Sequence, residues 1–330
     1  MTLQAESPPY ANGHDSRGEF ADALLQALRT TPRSIAPKFF YDAAGSALFD
    51  RICALDEYYL TRTETTLLQR HAPEMAECIG SGADLIEFGA GSLHKIRLLL
   101  DALPTLARFV PIDISAAHLQ AQVRRLQQDY PTLPITPLVA DFTRPIRLPA
   151  SPASARRRVG FFPGSSIGNF SPLEAREFLA TAAQLLRGGG LLIGVDLIKD
   201  PALLHRAYND AAGVTAAFNL NLLARANREL GADFELGAFH HYAYYQPQLQ
   251  RIEMHLLSAR RQTVRLCGER FEFSPGASLH TENSCKYSVE GFQALARQAG
   301  WQPGPVWCDA AGLFSVHWLA APPASARHSV

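Results

Sequence analysis

The stretch "ADLIEFGAGSLHKIRLLLDAL", Ala83 to Leu103, decides the fold. A short apolar strand runs into a glycine-rich turn, and the turn opens a helix. The same unit recurs downstream. "ARFVPIDIS" reads as a second strand ending in an acid, followed by the helical "AAHLQAQVRRLQQDYP". "ITPLVADF" is a third strand, and "RVGFFPGSSIGNFSP" supplies a fourth with the helix "LEAREFLATAAQLL" behind it. "GGGLLIGVDLI" is a fifth, entered through three glycines that stop the preceding helix. Strands alternating with helices predict an α/β fold built on a parallel, doubly wound sheet.

Working outward, "EFADALLQALRTTPRSIAPKFFYDAAGSALFDRICAL" predicts short helices around a turn, and "TRTETTLLQRHAPEMAECI" a longer amphipathic helix. Residues 1–18 read as a floppy polar tail without the hydrophobic segment of a secretory signal. Beyond Asp196 the alternation stops. Helical pieces are followed by the period-two strands "HHYAYY", "QRIEMHLLS", "TVRLC" and "ERFEF", which predict an antiparallel meander. The end returns to a helix and an apolar strand pair that would complete the first sheet. The expected division is therefore a sheet domain of residues 61–196 and 287–330, with residues 19–60 and 197–286 forming an inserted α+β unit.

The chain has 330 residues, 31 basic and 31 acidic, so its formal charge is zero. That balance gives no electrostatic footprint for nucleic acid or an anionic membrane. The one dense basic run, Arg156 to Arg158, lies in a Pro/Ala/Ser-rich stretch and reads as solvated. Five scattered cysteines without a C-x-x-C fit reduced thiols in a cytoplasm better than a disulfide framework or a zinc site. No apolar run is long enough to span a bilayer.

"EFGAG" between a strand and a helix can hold an adenosine-containing cofactor, because Gly89 and Gly91 let the backbone approach a ligand. A purely structural turn stays open as the other reading, since His94 replaces the third glycine of the dinucleotide fingerprint. Asp113 closes the second strand, where an acid can accept ribose hydroxyls; Asp141 and Phe142 close the third, where a carboxylate and a ring can take adenine. The set resembles the class I S-adenosylmethionine-dependent methyltransferases.

The second half offers polar anchors, each with a plainer alternative. Asn169 in "GSSIGNF" can donate to a carboxylate or cap the next helix. Tyr58 and Tyr208 can contact a ligand, although single tyrosines at helical spacing are usually core. "LHTENSCKYS", Leu279 to Ser288, reads as a solvated loop, a cation site or a pocket wall. Glu282 and Ser284, two apart in an extended segment, would face the same way.

Taken together, "PKFFYDAAGSALFDRI", "EYYLTRTE", "EFGAGSLHK", "GSSIGN", "AYNDAAGVTAAFN", "RIEMHL" and "TENSCKY" resemble, in family order, the L-histidine Nα-methyltransferases. Those enzymes make trimethylhistidine (hercynine) on the route to ergothioneine. The resemblance implies that Gly89, Lys95, Asp113, Asp141 and Phe142 bind S-adenosylmethionine. It implies that Gly164 borders the transferred methyl and that Asn169 and Tyr208 grip the substrate carboxylate. Tyr58 would lie near the amine, Glu282 and Ser284 would hold the imidazole, and Met254 and Tyr41 would shape that end. The substrate would be a small molecule; direct displacement at a sulfonium methyl needs no metal site, and a monomer is the default expectation. Three departures stand out: Ala90 inside "GAG", Leu60 where proline is expected after "EYY", and Asn283 between Glu282 and Ser284. The rivals are a methyltransferase acting on another amino acid such as tryptophan, against which Glu282 and Met254 speak, and a nicotinamide dehydrogenase, against which the incomplete glycine fingerprint speaks.

Overall fold

The computed structural model describes residues 16–103 and 105–323. In chain order the elements begin with α1 (Ser16–Arg29), β1 (Arg33–Ser34), α2 (Ala43–Cys53) and α3 (Tyr59–Ile79). Next come β2 (Ala83–Phe88), α4 (His94–Leu100), β3 (Leu106–Asp113), α5 (Ala116–Asp129) and β4 (Leu138–Val139). β5 (Arg157–Phe162), α6 (Pro172–Leu185) and β6 (Gly190–Asp196) complete the alternating part. α7 (Pro201–Tyr208), α8 (Val214–Leu230), β7 (Phe239–Gln246), β8 (Arg251–Ser258), β9 (Gln262–Leu266), β10 (Glu269–Phe273) and β11 (Ser278–Cys285) follow. The described chain closes with α9 (Val289–Gln298), β12 (Gln302–Cys308) and β13 (Phe314–Ala320).

Seven strands form one sheet in the order β12-β13-β6-β5-β2-β3-β4. The five strands from β4 to β6 are parallel, and β13 and β12 add antiparallel. Alternation along each strand splits its core in two: Leu85, Phe109 and Phe161 face α3, α4 and α5, while Ile86, Val110 and Phe162 face α6 and α9. The strand order reverses between β2 and β5, which opens a crevice at their carboxyl ends.

A smaller sheet, β1-β11-β8-β7, has one face in a third core. That core joins Phe20, Phe40 and Tyr58 from the N-terminal segment to Leu222, Phe239, Met254 and Leu279. "TVRLC" and "ERFEF" do not extend this sheet; β9 and β10 pair only with each other. β11, which carries the polar cluster, is an inner strand between β1 and β8. Residues 1–15 of the expected tail lie outside the described residues, and α1 begins at Ser16 rather than after Gly18. The solvated reading of the basic run holds only for Arg156: Arg157 donates to the carbonyls of Cys78 and Ile79, and Arg158 to that of Pro149.

The large and small sheets are tied together at the fully buried Asp196, which ends β6. Its carboxylate accepts from Tyr59 Oη at 2.8 Å and pairs with Lys199 Nζ and, at 2.7 Å, with Lys286 Nζ just past β11. Its carbonyl accepts from Tyr287 N at 3.1 Å. Nearby, Gly168 lies so close to β11 that a Cβ there would come within 2.8 Å of the Cys285 carbonyl oxygen. Asp196→Asn leaves Lys286 buried without its carboxylate. It should cost about 3–5 kcal/mol in urea unfolding. Lys286→Met should cost less, because Asp196 retains Lys199 and Tyr59.

Candidate active site

A cavity of about 1280 Å³ fills the crevice between the large sheet's carboxyl edge, the N-terminal segment and β11. On the sheet side Gly89 has φ +69°, and a Cβ there would meet the Phe142 ring at 3.3 Å. Phe142 itself stands against Phe88, Phe162 and Phe178. Asp113 accepts from Gly91 N at 3.1 Å and Ser115 N at 2.9 Å, which ties the turns after β2 and β3 together. Asp141 is engaged by Thr143 and by Lys38 Nζ at 2.7 Å. Burial pushes its acidity one way, and these bonds more than offset it, holding its carboxyl below the ordinary range. Lys38 also meets Glu19 at 2.6 Å, so a cation from the N-terminal segment clasps the sheet edge.

Lys95 lines the cavity, but its ammonium is 2.5 Å from Glu64 Oε2. Glu64 is fully buried and also accepts from Gly164 N at 2.8 Å. Lys95 and Gly164 are thus held together by a residue that the motif reading passed over. Its signal was legible: Leu60, Glu64, Leu67 and Leu68 share the buried stripe of α3, and a lone acid in such a stripe needs partners. Glu87 was also passed over. It is buried on the cavity wall, its Oε2 has no hydrogen-bond partner, and burial raises its pKa well above the usual carboxylate range.

Tyr41 and Tyr58 of the N-terminal segment and Glu282 of β11 line the other side of the cavity, while Asn169 lines it from the turn that follows β5. None of these four side chains hydrogen-bonds to another described residue. The cap that Asn169 might have provided is made by Ser171, in a reciprocal capping box with Glu174. Tyr208, Ser284 and Met254 are buried one layer behind the wall. Tyr208 Oη donates to Ser284 Oγ at 2.7 Å, Lys286 Nζ reaches the same oxygen at 2.7 Å, and the Tyr208 ring packs edge-on against Tyr58. Met254 lies directly across from Glu282 in the sheet. Glu282 and Ser284 do face the same way, but a ladder irregularity between His280 and Glu282 sets which way that is.

Burial, reinforced by neighbouring acidic groups, raises the Tyr41 and Tyr58 phenols well above their ordinary value. Both therefore stay neutral near pH 7 and offer hydroxyls, not phenolates. Burial likewise raises Glu282 to about 7, with Lys286 pulling in the other direction.

The chain matches the family model described as histidine-specific methyltransferase, SAM-dependent, over residues 20–321. It belongs to that family. It is 43% identical over 310 residues to the histidine N-alpha-methyltransferase of Mycolicibacterium smegmatis, covering 90% of this chain and 95% of that one. It is 42% identical over 303 residues to the protein of the same name from Mycobacterium tuberculosis, covering 90% and 93%. Ergothioneine biosynthesis protein 1 of Neurospora crassa is 31% identical over 308 residues, which are 88% of this chain and 33% of that longer one.

In this methyltransferase the open carboxylate has a thermodynamic cost. A folded-state value of about 7 lies above the 4.5 of an ordinary glutamate, so the fold binds the Glu282 proton more tightly than the unfolded chain does. Its contribution is most favourable below pH 4.5 and is lost as pH rises towards 7. Glu282→Gln should therefore raise unfolding stability at pH 8 by about 3 kcal/mol, and the gain should vanish near pH 4. Urea titrations at the two pH values check this.

Proposed function

We propose that this enzyme transfers three methyl groups in succession from S-adenosylmethionine to the α-amine of L-histidine. The product is hercynine, the precursor of ergothioneine. The observation that carries the reading is the set of polar side chains that line the cavity with no hydrogen-bond partner among the described residues. Glu282 is an anion-capable acceptor in a shielded place, suited to an imidazole N–H. Asn169 is a free amide suited to a carboxylate, and the Tyr58 hydroxyl can hold the amine or its water.

The sheet edge fits an adenosine-linked sulfonium. Asp113 can accept from ribose hydroxyls while keeping its two backbone contacts, and Phe142 can flank adenine beside the bare Gly89. The adenine amine would share Asp141 with Lys38. Glu87, whose Oε2 is orphaned in the wall, offers a hydrogen-bonding carboxyl to the ligand. Lys95 acts through Glu64 by fixing Gly164, which borders the transfer site. Tyr208 and Ser284 serve as a backing that orients Tyr58 and the floor near Glu282, and Met254 shapes that floor. When bound, the cofactor supplies an electrophilic methyl.

The protein's task is to hold a neutral amine in line with that methyl and exclude water. With Tyr41 and Tyr58 both un-ionised, the amine proton leaves to water held by a hydroxyl rather than to a phenolate. A quaternary product has no lone pair, so the sequence ends at three methyl groups. We further propose that the enzyme works as a cytoplasmic monomer on small molecules, with no metal in the transfer step. Among the described residues no helix is long and apolar enough to cross a membrane.

Incubation with S-adenosylmethionine and a panel of amino acids should give trimethylated histidine by mass spectrometry. Methylation of tryptophan with histidine untouched would refute the substrate. Glu282→Ala should raise the KM for histidine by about 10- to 100-fold, with little change in S-adenosylhomocysteine affinity. Asp113→Asn should show the reverse split.

A further inference from the structure

A second polar cluster lies on the other face of the four-stranded sheet, away from the third core. The pleat sends Glu253 and His255 of β8 to that face, and the register sets His280 across from His255 and Asn283 across from Glu253. Each imidazole holds Nδ1 against a serine hydroxyl: His255 at 2.7 Å from Ser278 Oγ, His280 at 2.8 Å from Ser34 Oγ. The Nε2 atoms point the same way along the sheet. That of His255 is 3.2 Å from Glu253 Oε2, and that of His280 is 3.0 Å from Asn283 Oδ1. One ring nitrogen of each histidine and one carboxylate oxygen of Glu253 lie within 4.8 Å of one another.

We propose that Glu253, His255, His280 and Asn283 form a binding site for a divalent transition-metal ion of the zinc or cobalt kind. Two imidazoles and two oxygens suit such borderline ions better than calcium or magnesium, which prefer oxygen alone. The serine hydroxyls hold Nδ1 of each ring in place; once an ion takes the place of the Nε2 proton, the proton on Nδ1 can be donated to the serine oxygen, as to the outer-shell partners of metal-bound histidines. Ligand atoms around zinc sit roughly 3.3 Å apart, so side-chain rotation of about an ångström closes the ring without moving a strand.

Arg251 binds Glu253 Oε1 at 2.6 Å and leaves Oε2, which also accepts from Tyr244 Oη at 2.8 Å. The ion replaces the long His255–Glu253 contact, and the nearby guanidinium keeps its affinity modest. His280 and Asn283 also border the cavity, so occupancy braces the wall beside Glu282. The site stands independently of which amino acid the enzyme methylates.

Zinc titration of chelator-treated full-length protein should reveal one saturable site among its eleven histidines. Cobalt should give the visible bands of a four- or five-coordinate nitrogen/oxygen site. His255→Gln and His280→Gln should each abolish that binding. Ser278→Ala, which keeps every ligand, should weaken it about tenfold, and Glu282→Gln on the opposite face should leave it unchanged. No zinc uptake by the wild type, or uptake undiminished in both glutamine variants, overturns the proposal.

Discussion

The architecture depends on the Asp196 carboxylate and the cations gathered around it. Asp196 ends the last parallel strand of the large sheet, Lys286 follows the polar strand of the small one, and Tyr59 opens the helix that leads into the sheet domain. Burial would push Lys286 towards neutrality, but Asp196 holds its pKa above the ordinary value. Lys199 has the less favourable position. Burial brings it down to about 8, with Asp196 opposing that shift and Lys286 assisting it. One anion between two ammonium groups is stable only with all three in register, so the two units cannot slide without exposing a buried charge.

Around that junction the polar side chains fall into two classes. Glu64 with Lys95, Lys38 with Asp141, and Tyr208 and Ser284 with Lys286 satisfy one another and set the shape of the cavity. The polar ends of Tyr41, Tyr58, Asn169 and Glu282 find no hydrogen-bond partner among the described residues, and the fold carries the cost of Glu282 in particular. A group left unsatisfied in a shielded place gains most from a ligand that completes it, which is how such a wall discriminates between acceptors. The structured backing keeps the open groups from collapsing onto each other.

Much of this was legible in the chain. The alternation from Ala83 to Asp196 fixes a parallel sheet because strand and helix periods differ and the glycines mark their junctions. Motif order carried the family. The partners were not legible. Lys38 and Asp141 are 103 positions apart and Lys95 and Glu64 are 31 apart, and nothing local couples them. The basic run misled because a guanidinium that reaches backbone carbonyls across a loop looks, in sequence, like one in water. "TVRLC" and "ERFEF" read as part of one meander because period-two alternation states that a strand exists and not which strand it joins.

By itself the sequence determined the element types, the order of the motifs and the presence of a polar stretch at Leu279–Ser288, since hydrophobic period and residue chemistry are local properties. Only the tertiary structure decided which way that stretch looks. Strict alternation from the buried Leu279 would turn Thr281 and Asn283 inwards and Glu282 outwards. The irregularity between His280 and Glu282 shifts the phase, so that Thr281 and Glu282 both point in while His280 and Asn283 stay on the other face. Pairing with β8 fixes that shift: the Thr281 hydroxyl donates to the Met254 carbonyl at 3.0 Å, a bond to a residue 27 positions away that no local pattern announces.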